Sequence, residues 1–368
     1  MSAETVSLAR RLAVELNLDE LIPLKGYHHD TWVFSLPDTG EAGEAGVHGR
    51  WKCREPRPGL FWFDRRCFTS EEDLLRVLAG RVRKIPELLE FDGVGLQRFI
   101  EGRTLGEVTK EKAALPESYI GQLMELFSEM VHIRPEDLKI ERSCGSDEES
   151  HELADGDTSG FLRRLVDFTE NEVFLRHRDR FGKLLGRLGV DDEALMRFRK
   201  RMSTLTERPF CLLHGDLHRE NFIVDGEDRL WTIDWELAMF GDPLYDLATH
   251  LYLMRYPPEQ AQKVILQWCD TVEWVRKGSS DGWKEDLPQL LAYKRAQSVY
   301  TDVIRSALTV GADRDLNWPL LLHTVLKLRR VLVRAQDVLE LGSLPGLWQV
   351  VSALLAWRRS DRASTVQK

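Results

Sequence analysis

The hydrophobic periodicity of this 368-residue chain changes at about Gly102, and that change constrains the fold more than any other feature. Before it, short β-branched and aromatic runs predict strands, and Ser70 caps a run of helix formers. After it, apolar residues recur at helical spacing over long segments: about 115–136, 160–205, 256–275, 285–309 and 317–340. At roughly 100–200 residues per domain, such a chain fits two units. We predict an α+β protein with a small β-rich N-lobe (1–101) and a larger, mainly helical C-lobe (102–368).

Three short apolar runs interrupt the helical half. They lie at 211–215, 222–224 and 230–234, are separated by polar turns, and predict short strands or loops. Residues 142–159 are acidic and turn-rich, which predicts a mobile surface loop. The polar tail after Arg358 is expected to fray.

Composition narrows the class of protein. Apolar residues make up 43% of the chain and charged residues 30%, which excludes wholesale disorder. The formal net charge of −9 argues against a nucleic-acid partner. No apolar run approaches the roughly 18 residues that span a bilayer, and the N-terminus does not resemble a signal peptide. The five scattered cysteines form no CxxC pair, so free thiols in the cytoplasm are expected.

The stretch from His214 to Asp246 carries the residues best suited to chemistry. Asp216 and Asn221 lie five apart between two predicted strands, and Asp234 ends the next apolar run. A loop and a strand end can bring these three side chains together, and their oxygens are hard ligands that suit Mg²⁺. Mg²⁺ held by one or two protein groups keeps waters and recruits phosphate oxygens, which indicates phosphoryl transfer.

The spacing sharpens that interpretation. An Asp and an Asn separated by four residues, with a second Asp after a strand, form the metal and base pattern of protein kinases. Here Gly215 replaces the arginine of that pattern, and Trp235-Glu236 replaces its Phe-Gly. Three ordered motifs, HGDLHREN, IDWE and GDPLYDLA, resemble the aminoglycoside phosphotransferase and choline kinase superfamily, the small-molecule branch of the protein-kinase-like fold. The resemblance is specific over about 212–250 and diffuse elsewhere.

That resemblance implies a bilobal protein-kinase-like fold and an enzyme that uses ATP or GTP with Mg²⁺. Asp216 would be the catalytic base or would orient the substrate hydroxyl. Asn221 and Asp234 would hold the metal. Asp246 would support the catalytic loop through hydrogen bonds without touching substrate.

The resemblance also implies a cation on an N-terminal strand that grips the nucleotide phosphates. Arg54 is the best match, and Lys52, two residues before it, shares its face of the strand. A helical glutamate should pair with that cation. Glu71 is the expected partner, with Glu72 as the alternative.

Two further segments would contact the nucleotide. The turn 26–31 would cover the phosphates, although it has one glycine and carries His28 where the family commonly has a small hydroxyl residue. A hinge at about 96–101 would offer backbone groups to the purine, at Arg98 and Ile100. Because such contacts are made by the backbone, they leave ATP and GTP equally open.

The sequence leaves several alternatives open. The acceptor is expected to be a polar or cationic small molecule, such as an aminoglycoside or other antibiotic, with an amino alcohol or sugar as alternatives. A kinase acting on Ser or Thr of a peptide in a natural-product pathway, and a nucleotide-binding pseudokinase, are competing hypotheses. His214 and His218, which the resemblance assigns to shaping the loop, could with Cys211 suggest zinc, but a fourth ligand is lacking. The oligomeric state is not predicted.

Overall fold

The computed structural model describes most of the chain: residues 8–15, 18, 20–24, 29–36, 49–57, 61–91, 93–110, 112–142, 153–312 and 315–366. The predicted α+β class is confirmed, with an antiparallel sheet in the N-terminal part and helices in the C-terminal part. In the described ranges, no helix is long and apolar enough to cross a membrane. Cys53, Cys67, Cys211 and Cys269 are free thiols.

The N-terminal sheet has five antiparallel strands in the order β1-β2-β3-β5-β4. These are β1 (Ile22–Leu24), β2 (His29–Ser35), β3 (Arg50–Pro56), β4 (Leu88–Phe91) and β5 (Val94–Arg98). Helix α1 (Leu8–Glu15) precedes the sheet, and α2 (Glu71–Leu78) lies between β3 and β4 with Ser70 as its cap, as predicted.

The alternation of side chains along β3 positions the site. Trp51 and Cys53 are buried in a small core with Leu12, Phe34 and Leu96. Lys52 and Arg54 therefore lie on the opposite face of the strand. That face meets the C-terminal part of the chain, since Arg54 reaches side chains beyond residue 230.

Five short strands interrupt the C-terminal part and form two small sheets. They are β6 (Arg103–Thr104), β7 (Cys211–Leu213), β8 (Phe222–Val224), β9 (Leu230–Thr232) and β10 (Met239–Gly241). Strand β10 pairs with β7, and β8 lies between β6 and β9. The three interrupting runs predicted from the sequence are thus strands.

The remaining helices build the bulk of the C-terminal part. They are α3 (Leu105–Val108), α4 (Glu117–His132), α5 (Thr158–Phe168), α6 (Arg178–Arg187), α7 (Ala194–Lys200), α8 (Pro243–Met254), α9 (Pro258–Val275), α10 (Trp283–Ala312), α11 (Trp318–Leu339) and α12 (Leu347–Val366). The long segment predicted over 160–205 is divided. A π-helical turn (Thr169–Phe174) follows α5, and Gly189, with φ of +86°, follows the end of α6.

The structure bears on two expectations about irregular segments. The tail after Arg358 is helical as far as Val366, where the described residues end, and Asp361 pairs with Arg180, at 2.7 Å. The segment 142–159 is only partly described, and its last two residues already belong to α5, which Asp157 caps.

The chain passes into the C-terminal sheet directly after Gly102, since β6 pairs with β8. The large hydrophobic core nevertheless includes residues from before that point, such as Phe63 and Leu74. The lobe limits 1–101 and 102–368 therefore stay a prediction.

Candidate active site

The loop between β7 and β8 owes its shape to Gly215. Its φ is +81°, and a Cβ there would lie 2.7 Å from the carbonyl oxygen of Leu237. Any side chain would be strained and would collide with backbone. This contact explains why glycine occupies the middle of the His-Gly-Asp triplet in this chain.

Two buried side chains, those of Asp246 and His214, hold this loop through hydrogen bonds. The carboxylate of Asp246, on α8, accepts hydrogen bonds from the backbone N–H groups of His214 (3.0 Å) and Gly215 (2.8 Å). Burial raises the pKa of Asp246 to about 6 despite these donors. Burial also lowers the pKa of His214 to about 4, so its ring is neutral. That ring lies 3.1 Å from the Ile233 carbonyl through Nε2 and accepts from the Asp216 N–H through Nδ1, at 3.3 Å.

Asp216 projects from this loop and is 30% exposed. The amide Nδ2 of Asn221 donates to its backbone oxygen (2.9 Å) and to its Oδ2 (3.2 Å). His218 Nε2 lies 3.3 Å from the same Oδ2. Burial would lower the pKa of His218, but the hydrogen bond and charge of Asp216 outweigh it and raise that pKa. The carboxylate is thus held on one side and open on the other.

Asp234 ends the run after β9 in a left-handed conformation, with φ of +66°. Its side chain is 43% exposed, and its Oδ1 lies 3.7 Å from Nη2 of Arg54. The next residue, Trp235, is fully buried, and its backbone N–H donates to Glu71, at 3.0 Å. The turn therefore presents Asp234 toward the strand β3 while its neighbour anchors the turn in the core.

Arg54 is the centre of a buried charge cluster, which we call the Arg54 cluster: Arg54, Glu71, Glu236 and His29. Arg54 Nη1 pairs with Glu71, the partner expected from the sequence. Arg54 Nη2 lies 3.3 Å from Glu236 and 2.9 Å from Nδ1 of His29. Burial, followed by the charge of Arg54, lowers the pKa of His29 to about 4. Glu72, the alternative partner, instead accepts from Gln97, at 3.0 Å.

A cavity of about 370 Å³ opens beside Asp216. Its walls come from the loop, the Asp234 turn, the residues before α2, and helices α8 and α10. Asp216 and Asp234 both line it, so the predicted reactive groups face one space. A cavity of this size suits a small polar molecule.

A family model of phosphotransferase enzymes, APH, matches residues 23–277. The chain belongs to this phosphotransferase family. It is 34% identical over 64 residues to the protein LicA of Haemophilus influenzae, a match over 17% of this chain and 24% of LicA. The matched segment thus spans about a quarter of that curated relative.

Solved structures show the same fold. A macrolide 2′-phosphotransferase, MphH from Brachybacterium faecium, superposes with a TM-score of 0.50 at 14% identity, covering 91% of this chain and 98% of that one. The choline kinase LicA from Streptococcus pneumoniae superposes with a TM-score of 0.50 at 12% identity, covering 90% and 97%. The protein-kinase-like fold predicted from the sequence is confirmed.

The nucleotide side of this phosphotransferase is only partly described. His28, predicted to cover the phosphates, lies outside the described residues. At the predicted hinge, the Arg98 N–H is bonded to the Glu87 carbonyl (2.8 Å), and the Phe99 N–H to that of Arg50 (2.9 Å). In the described part of the chain, the Ile100 N–H has no hydrogen-bond partner. It is thus a backbone donor that a purine could use.

Of the two residues predicted to hold metal, Asp234 lines the cavity and Asn221 is hydrogen-bonded to Asp216, which also lines it. The bonds from Nδ2 of Asn221 to Asp216 orient its amide, and Asp234 is open to the cleft. This donor set fits Mg²⁺ shared with phosphate oxygens. Throughout the described ranges, no group of three or more His, Cys, Asp or Glu is arranged to bind a metal by itself. The zinc alternative is not assembled, since both ring nitrogens of His214 are engaged.

Some contributors could not be identified from the sequence. Glu236, which follows Trp235 in the second motif, pairs with Arg54 and His29. Asp242 of the third motif caps α8 and forms a bidentate pair with the fully buried Arg208, at 2.8 and 2.7 Å. The Asp-Pro sequence signals the cap. Nothing in the sequence signals Arg208.

Proposed function

We propose that this phosphotransferase moves the γ-phosphoryl group of ATP or GTP to a hydroxyl of a polar small molecule. The observation that carries the proposal is that Asp216 and Asp234 line one cavity, with Asn221 hydrogen-bonded to Asp216. Solved relatives named for macrolide and choline substrates support a small-molecule acceptor. The cavity volume supports it too, because about 370 Å³ suits a compact ligand better than an extended peptide.

Each residue then has a role in the transfer. Asp216 accepts the proton of the acceptor hydroxyl and orients its oxygen for in-line attack. Asn221, through Oδ1, and Asp234 would hold Mg²⁺, which when bound neutralises charge that builds on the transferred group. Arg54, fixed by Glu71, positions the nucleotide phosphates beside the Asp234 turn.

The purine would be held by backbone groups of the hinge. The carbonyl of Arg98 and the N–H of Ile100 are the proposed contacts, and His28 is proposed to lie over the phosphates. Since backbone groups read the purine edge, both ATP and GTP are tested as donors.

The experiment is a nucleotide-consumption screen with Mg²⁺ over aminoglycosides, macrolides, amino alcohols, sugars, hydroxy acids and Ser- or Thr-containing peptides. Asp216→Asn is expected to lower kcat by about 10²- to 10⁴-fold and leave nucleotide affinity unchanged. Asp228→Asn is the matched control, because Asp228 is an exposed carboxylate in a left-handed turn, a conformation that asparagine tolerates.

The outcomes separate the competing hypotheses. Turnover that depends on one small acceptor and is lost only in Asp216→Asn supports the proposal. Turnover of peptides alone favours the peptide kinase. Nucleotide binding without any transfer or hydrolysis indicates a pseudokinase, and near-normal turnover by Asp216→Asn would refute the role of Asp216.

A further inference from the structure

Lys294 is a buried cation in the wall of the cavity. It lies on α10 and is only 7% exposed. Its Nζ lies 3.4 Å from the hydroxyl of Tyr245 and 5.3 Å from the centre of that ring. The charge of Lys294 acts on the buried carboxylate of Asp246 and lowers the pKa of that group, but in the described part of the chain no carboxylate oxygen lies within 4.0 Å of the ammonium. A buried ammonium without a direct carboxylate contact is costly, so a group that pairs with it is expected.

Three of the carboxylates that line the same cavity already have hydrogen-bond or ion-pair partners within the protein. Asp64 accepts from Nε2 of Gln297, at 2.7 Å, and Asp302 pairs with Lys327, at 2.6 Å. Glu236 belongs to the Arg54 cluster.

The two remaining acids, Asp216 and Asp234, have the roles proposed above. Each carboxylate that lines the cavity thus has a partner or a proposed role, whereas Lys294 lines the cavity without a direct carboxylate contact.

We propose that Lys294 binds a carboxylate of the acceptor, so that the substrate is a hydroxyl compound that also carries a carboxylic acid. This inference rests on the proposed function, because it concerns the same cavity. Asp216 and Lys294 both line that cavity, so one small molecule could present its hydroxyl to the first and its carboxylate to the second.

The charges around Lys294 favour a monoanion over a phosphate. Lys294 acts as a single ammonium, and Asp64 and Asp216 line the same space. A doubly charged group would be repelled by these acids more strongly than a carboxylate. The second cation of the wall, Arg305, stacks over the ring of Phe63 at 4.7 Å, which directs it to the protein.

The test measures binding and does not need turnover. Glycolate, 3-hydroxybutyrate and gluconate are each compared with their uncharged amides by ligand-detected NMR titration of the full chain with Mg·ADP. Homoserine is compared with its amide, which lacks the carboxylate charge. At least one acid is expected to bind about 10- to 100-fold more tightly than its amide, the strength of one hydrogen bond to a charged group. Lys294→Met is expected to abolish that preference, and Lys294→Arg to restore part of it.

Lys284→Met is the matched control, since Lys284 lies on the same helix, is exposed and does not line the cavity. Thermal unfolding checks that each variant folds; if Lys294→Met does not, Lys294→Gln takes its place. The inference is overturned if no acid binds more tightly than its amide, or if the preference survives without Lys294.

The two proposals fail in different ways. A preference for acids that depends on Lys294, without phosphoryl transfer to any acceptor, keeps this inference and removes the proposed function. Transfer to an acceptor without an anionic group, unaffected by Lys294→Met, does the reverse.

Discussion

Lys52 and Arg54 are neighbouring cations on one face of β3, and we expect their removal to change stability in opposite directions. Arg54 is 9% exposed and contacts two buried carboxylates, Glu71 and Glu236. Removing one partner of a buried ion pair costs about 3–5 kcal/mol, because the charges left behind are unpaired. Arg54→Met should therefore lower the free energy of unfolding by about that amount.

Lys52 forms no ion pair among the described residues, and burial, followed by the charge of Arg54, lowers its pKa from 10.5 to about 8. At neutral pH that shift costs the folded state about 3 kcal/mol, and partial exposure of the side chain reduces the cost. Lys52→Met should thus raise the free energy of unfolding by about 1–3 kcal/mol.

The pH dependence has a defined sign. Below pH 8, Lys52 is charged in both states and the full cost applies. Between about pH 8 and 10.5, the folded protein has released the proton while the unfolded chain still holds it. The cost disappears over this range, so the advantage of Lys52→Met over wild type should fade there.

Urea unfolding of both variants from pH 7 to pH 10 measures these differences, with exposed Lys284→Met as the control, expected within about 0.5 kcal/mol of wild type. A Lys52→Met variant that is less stable than wild type at pH 7 would refute the reasoning for Lys52. An Arg54→Met variant as stable as wild type would show that Arg54 does not hold the cluster together.

Two further predictions concern stability. Arg208→Met should lower the free energy of unfolding by about 3–5 kcal/mol, because it leaves the fully buried Asp242 unpaired. The control, Arg83→Met, removes an exposed arginine and should cost under about 1 kcal/mol in the same urea unfolding experiment. Equal losses in the two variants would contradict the prediction. Gly102→Ala should cost about 1–3 kcal/mol, since its Cβ would lie 2.2 Å from a carbonyl oxygen of β8. Gly186→Ala, at a helical position with no atom within 4 Å of the added Cβ, is the control and should be neutral or stabilising when both variants are unfolded by urea. A Gly102→Ala variant as stable as wild type would show that β8 can move.

The local parts of the site could be predicted because they lie within one stretch of sequence. The loop from His214 to Asn221 has its reactive groups five residues apart, so their proximity can be read from the sequence. The contact that holds the loop from Asp246 is more distant, but it too lies within the third motif. The Asp-Pro at 242–243 identifies a helix start by the same local rule. Arg54 and Glu71 required the family resemblance, and the structure places them in contact.

Other contributors depend on contacts between distant parts of the chain. Glu236 meets Arg54 across 182 residues, and Arg208 meets Asp286 across 78. Lys294 has no motif around it and becomes notable only because α10 places it in the cavity wall. The polar sequence beyond Arg358 predicts fraying, but the distant Arg180 of α6 forms a bidentate ion pair with Asp361.

The two sides of the cleft are built differently, and this suggests how substitutions will divide. Asp216 is fixed by contacts within the C-terminal part alone: the bonds from Asn221, the neutral ring of His214 and the carboxylate of Asp246. The proposed phosphate side is assembled between the N-terminal part and the Asp234 turn. Arg54 contacts Asp234 and Glu236. Glu71 of α2 accepts from the backbone N–H that follows Asp234. The contacts that hold Asp216 do not include the Arg54 cluster. Weakening that cluster should therefore raise the KM for nucleotide, whereas disturbing the loop between β7 and β8 should lower kcat.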